Sequence, residues 1–123
     1  MKSFVRLTDF SKEELQEIFS IADNIGEYKN FLRGKTVVLF FPSSSLRTRV
    51  SFEKGIHLLG GQSILFEPST LEKKEDIRDV CGYLQNWADA AAEDAISSPF
   101  FVGYEFKKSL LAVQQAILIY CMR

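Results

Sequence analysis

Apolar residues near the start of the chain recur at helical intervals, and the polar residues ahead of them mark where that helix begins. Leu15, Ile18, Phe19, Ala22 and Ile25 follow Ser11-Lys12-Glu13-Glu14. That tetrad is a capping box, in which the serine accepts from the backbone N–H of Glu14 and the Glu14 side chain reaches back to the serine amide. A helix over residues 11 to 25 follows, with Gly26 as its stop. The period then changes. Residues 35 to 41 (KTVVLFF) are β-branched and aromatic, short, and apolar on both faces. A strand covered on both sides, as in a parallel sheet, has that pattern. Pro42 ends it.

From residue 45 to 59 a second helix is expected, burying Val50, Phe52, Ile56 and Leu59 and stopped by Gly60-Gly61. Residues 62 to 66 form a second strand, so residues 35 to 66 read as one β-α-β unit, which implies parallel pairing through a right-handed crossover. EPSTLEKKED is a polar loop. A third helix over residues 74 to 85 buries Ile77, Val80, Cys81 and Leu84. The alanine-rich ADAAAEDA that follows lacks strand signals, although a βα alternation calls for a strand there. SSPFFVGYE is extended or looped, and the last helix, over residues 106 to 121, is apolar almost all round. Such a helix needs contacts on more than one side. The fold class is α/β, with helices on both faces of a thin parallel sheet and the last helix packed back on it.

At 123 residues the chain is long enough for one core. Its 46% hydrophobic and 25% charged residues suit a soluble globular protein. A net charge of −1 argues against a nucleic-acid or acidic-membrane partner. Cys81 and Cys121 are far apart and read as buried free thiols in a reducing compartment. No window approaches the roughly 18 uncharged apolar residues of a membrane span. Lys2, Arg6 and Asp9 exclude a signal peptide at the start, so a cytoplasmic location is expected.

Candidate chemistry sits in FFPSSSLRTRVSFE, residues 40 to 53. A helix start carries N–H groups that its own carbonyls do not reach, together with a partial positive charge. When it follows a strand it lies at the carboxyl edge of a parallel sheet, where α/β ligands bind. Ser43, Ser44 and Ser45 are small enough for an anion to approach the backbone, and their hydroxyls can donate to it. Arg47 offers a planar fork for phosphate or carboxylate, with Thr48 beside it. The alternative is a serine cap followed by solvated arginines. Against it, cations in a first turn oppose the helix dipole, and an anionic ligand gives them a reason. Arg49 points to a different face.

The stretch GKTVVLFFPSSSLRTRVSFEKGIHLLGGQSILFEPS closely resembles the carbamoyl-phosphate-binding half of the aspartate/ornithine carbamoyltransferase family. Ser45-Leu46-Arg47-Thr48-Arg49 stands where that family has Ser-Thr-Arg-Thr-Arg, and Ser51-Phe52-Glu53 matches its Ser-Phe-Glu. LEKKEDIRDVCGYLQNWADA resembles the ornithine-type version of the next loop and helix. The resemblance implies that Ser45, Leu46 (through its amide), Arg47 and Thr48 bind the phosphate of carbamoyl phosphate, with Arg47 catalytic at the leaving oxygen. It also implies that Thr70 and Lys74 reach a neighbouring subunit's site in a homotrimer. It implies neither metal nor cofactor. Leu46 departs from the family hydroxyl and resembles the branch acting on acylated ornithines.

The resemblance also implies an arrangement of the chain. Residues 1–90 read as a partial carbamoyl-phosphate-binding domain, and residues 91–123 as a junction and the family's C-terminal returning helix. The His-Pro-x-Gln stretch that polarises the carbamoyl carbonyl, the arginine on the next strand and the His-Cys-Leu-Pro segment are absent. His57, mid-helix, reads as a solvated surface residue. The expected function is therefore carbamoyl-phosphate binding without turnover by this chain alone. The alternatives are an enzyme completed by a partner chain and a structural or oligomerisation module whose cradle is unused. Phe100, Phe101 and the last helix are expected to drive self-association, through the family's trimer contact or a swapped helix.

Overall fold

The computed structural model describes residue 4 and residues 6–72, 76–93 and 106–123. Ser11 opens helix α1 (Lys12–Asp23) with both halves of the expected capping box in place. Glu14 N–H donates to Ser11 Oγ at 3.1 Å, and Ser11 N–H donates to Glu14 Oε1 at 3.2 Å. Ser11→Ala should therefore lower stability by about 1 kcal/mol, read as a shift in the urea midpoint with an unchanged slope. The helix ends earlier than expected. Asn24, not Gly26, is its C-cap, donating its backbone N–H to Ile21 and Ser20 and its side-chain amide to Ser20 O. Gly26 instead lies within a 3-10 turn, Ile25–Tyr28.

The sheet is three-stranded and parallel, in the order β2-β1-β3, with β1 at Thr36–Phe40, β2 at Gln62–Phe66 and β3 at Ala90–Glu93. Helix α2 (Leu46–Leu58) connects β1 to β2, and α3 (Ile77–Leu84) connects β2 to β3. Central β1 is buried from Val37 to Phe40, which explains its unbroken apolar run. Val37 and Leu39 share a core with Ile18 and Ile21 of α1 and Ile56 of α2, whereas Val38 and Phe40 are buried on the opposite face.

The strand at 90–93 corrects the reading of ADAAAEDA as lacking one. Alanine is a poor strand former, but tertiary pairing overrides that preference. Asp89 anchors the entry. Its N–H donates to Thr36 O at 2.8 Å, its carboxylate accepts the Thr36 N–H at 2.9 Å, and Lys35 lies 3.6 Å from the same carboxylate. Ala90 and Ala92, opposite Val37 and Leu39, then pack on the core cluster.

Helix α4 (Phe106–Met122) meets the requirement its apolar sequence set, packing against both α1 and α2. Ala116 and Ile119 are fully buried. Its end is tied to α1 by Tyr120, whose hydroxyl donates to Glu14 Oε2 at 2.8 Å, and by Arg123, paired with Glu17 and lying over the Tyr120 ring. The hydrogen bond to Glu17 raises the Arg123 pKa further above its ordinary value.

Several single-residue expectations fail for one geometric reason. Val50 and Phe19 are exposed, because the stripes that meet the core run through Phe52, Ile56 and Leu59 on α2 and through Ile18 and Ile21 on α1. At 3.6 residues per turn Val50 lies about 160° around the helix from Phe52. Cys121 is buried as expected, but Cys81 is exposed, as are Tyr83 and Trp87. The apolar stripe of α3 is thus only partly covered among the described residues, and sequence periodicity cannot tell a covered stripe from a bare one. Among the described residues, no helix is long and apolar enough to cross a membrane.

Candidate functional site

Three elements converge where β1 gives way to α2. Phe41, just past the strand, is buried and meets Phe52 of α2 with ring centroids 5.1 Å apart, which pins the first half of the helix to the sheet. Pro42 to Ser45 then form a tight turn, closed by Ser45 N–H donating to Pro42 O at 2.9 Å. The helix follows at once. Arg49 N–H donates to Ser45 O at 3.0 Å, and Ser51 Oγ donates to the Arg47 carbonyl at 2.8 Å. Further along, the buried Gln115 of α4 donates through Nε2 to Gly55 O at 2.9 Å. The platform under the turn is therefore held from two sides.

The Ser45 side chain does not cap α2, unlike Ser11 on α1. That observation weakens the plain-cap reading of the serines. Charge points the same way. Helices α1 and α3 carry acidic residues in their first turns, whereas α2 has none there and has Arg47 instead. Ser43, Ser44, Leu46 and Arg47 are exposed, and Ser45, Thr48 and Arg49 are half-buried. This arrangement concentrates donors and positive potential at an exposed carboxyl edge, chemistry suited to an oxyanion.

The second parallel strand ends beside the first, because Phe40 pairs with Phe66 and Phe41 N–H donates to Phe66 O at 3.1 Å. The next residue, Glu67, accepts the Ser43 N–H through Oε2 at 3.3 Å. Its own carbonyl accepts the Thr70 N–H at 3.0 Å at the start of a 3-10 turn, Pro68–Glu72, in which Thr70 is half-buried. The expected residues Ser45, Leu46, Arg47 and Thr48 thus lie together, and the segment bearing Thr70 joins their edge of the sheet. Lys74 lies outside the described residues, as do Phe100 and Phe101. His57 is exposed in the last turn of α2, as expected of a solvated residue. Glu67 was missed by the sequence reading. Its signal was the register: two parallel strands that end together place the residue after the second beside the turn after the first. Among the described residues, no group of His, Cys, Asp and Glu could hold a metal ion.

Comparison with known proteins places this geometry. Residues 2–93 match the family model described as "Aspartate/ornithine carbamoyltransferase, carbamoyl-P binding domain". An ornithine carbamoyltransferase of Campylobacter hominis is 38% identical over 99 residues, covering 74% of this chain and 32% of that protein. The chloroplastic ornithine carbamoyltransferase of Pisum sativum is 38% identical over 101 residues, with 72% and 26% covered. The chain thus spans about a third of the length of the first curated relatives it matches. Among solved structures, the catalytic subunit of M. jannaschii aspartate transcarbamoylase superposes with a TM-score of 0.65 at 30% identity, over 76% of this chain and 33% of that one. A mutant N-acetyl-L-ornithine transcarbamylase complexed with carbamyl phosphate and N-succinyl-L-norvaline gives 0.65 at 28% identity, with 76% and 33% covered.

Proposed function

Because the chain belongs to the aspartate/ornithine carbamoyltransferase family and carries its carbamoyl-phosphate-binding domain, we propose that residues 45–48 hold the phosphate of carbamoyl phosphate. The observation that carries this reading is the first turn of α2, where Arg47 and no carboxylate follow an uncapping serine at the carboxyl edge of the sheet. The backbone amides of residues 46–48 and the Ser45 and Thr48 hydroxyls donate to phosphate oxygens, and Arg47 supplies a bidentate cation.

In the reaction of the whole enzyme, an amine nitrogen attacks the carbamoyl carbon and the bond from that carbon to the bridging oxygen breaks. Phosphate departs with the electron pair, and the amine loses a proton. Negative charge grows on the bridging oxygen, so a cation fixed beside it lowers the barrier. That is the role proposed for Arg47. The acceptor is proposed to be ornithine-like, on the strength of the ornithine carbamoyltransferases among the relatives. Leu46, which offers its amide but no hydroxyl, favours an acylated ornithine. Residues 91–123 are proposed to form the junction and returning helix of the same domain. Thr70 and Lys74 are proposed to serve a neighbouring subunit of a homo-oligomer.

The test is calorimetric titration of carbamoyl phosphate into this chain at low salt. Saturable heat with one site per chain is the expected result. Dilution heat alone would leave the turn as inherited architecture and sink the reading.

A further inference from the structure

Glu67 places a carboxylate in contact with the turn that the reading above makes an anion site. Its backbone is fixed on both sides, by the Phe41–Phe66 hydrogen bond before it and by its own carbonyl accepting from Thr70 after it. From that fixed base the side chain spans to β1's exit and accepts the Ser43 N–H at 3.3 Å. Two N–H groups of this turn are thus already in use: Ser45's closes the turn on Pro42, and Ser43's is met by a negative group.

We propose that Glu67 is the cradle's internal counter-anion, a carboxylate that meets the Ser43 amide until an incoming anion displaces it, and that it thereby sets how the site ranks ligands by charge. The proposal rests on residues 45–48 being the phosphate site. Both Glu67 and Ser43 are exposed, and a single long hydrogen bond at the surface contributes little net stability. An anion that gathers several charge-assisted bonds can therefore displace it. Until then the carboxylate offsets part of the positive potential of the helix start and its arginines. After displacement it remains close by, tethered by a fixed backbone, and repels the ligand in proportion to the ligand's charge.

Glu67→Gln separates charge from geometry, because the glutamine amide oxygen can accept the same Ser43 N–H without a negative charge. Carbamoyl phosphate, sulfate and nitrate would be titrated into the wild-type chain and into Glu67→Gln at neutral pH and low salt. The dianion sulfate should bind roughly three- to tenfold tighter to the variant, the monoanion nitrate by a clearly smaller factor, and both gains should shrink as salt rises. Carbamoyl phosphate should follow sulfate. Unchanged affinities, equal gains for sulfate and nitrate, or weaker binding by the variant would overturn it and leave Glu67 a strut of the turn. In those cases saturable binding by the wild-type chain keeps the phosphate site standing. Absence of saturation in both proteins removes the phosphate site and the counter-anion together.

Discussion

Arg47→Ala is expected to weaken carbamoyl phosphate binding roughly ten- to a hundredfold while leaving the domain as stable as before, or slightly more so. The two effects have opposite signs for one reason. An arginine in a first helical turn sits at the positive end of the helix dipole, and removing it there should gain about 0.3–1 kcal/mol at most. The same positive environment makes the position valuable to a bound anion, to which hydrogen bonds from a charged group contribute about 1.5–3 kcal/mol. Arg47 is exposed and projects from the first turn of α2, so its replacement leaves no cavity. Arg47→Lys should fall between the two, keeping the charge and losing the fork. Calorimetry measures the first effect and urea unfolding the second. A variant that binds like wild type would show that the cationic turn is not a phosphate site.

The largest expected loss of stability comes from Ile119→Ala, at about 2–5 kcal/mol. Ile119 is fully buried in the cluster that joins α1, β1, α2 and α4. It therefore belongs to the central core even though it lies near the end of the sequence. Truncation removes apolar burial and leaves a cavity that neighbours from three other elements cannot fill without moving. Against a typical domain stability of about 5–15 kcal/mol this is a large fraction. The urea midpoint should fall with little change in slope. Anion affinity should persist wherever the variant is folded, since Ile119 is part of the core and not of the turn. A loss under about 1 kcal/mol would mean that α4 rests on the domain without completing its core.

A hydrogen bond from α4 to α2 connects these two results. Gln115, four residues before Ile119, donates to Gly55 of α2, and α2 begins with the turn that carries Arg47. Beyond α2 the chain turns on Gly60, whose φ of +83° suits glycine, and Gly61 follows, where an added Cβ would lie 2.9 Å from Leu32 Cβ. The Gly-Gly stop was readable in sequence because both requirements exclude larger residues.

What the sequence determined by itself was local or strongly periodic. The capping box at Ser11 and Glu14 involves residues three apart, and the strand at residues 62–66 has the bounds expected of it. The buried run of β1 needed only its composition to announce a covered strand, and the cationic serine turn needed only its place after that strand. Tertiary structure decided the rest. Ala90–Glu93 became a strand because Asp89 and the edge of β1 offered it partners, which no alanine preference encodes. Phe19, Val50 and Cys81 went to the surface because burial depends on what packs opposite a helix, and periodicity describes only the helix itself. Glu67 met Ser43 across 24 residues of chain because two parallel strands end side by side. Hydrogen bonds within a turn are fixed by spacing, whereas contacts between distant segments depend on a register that only the assembled core selects.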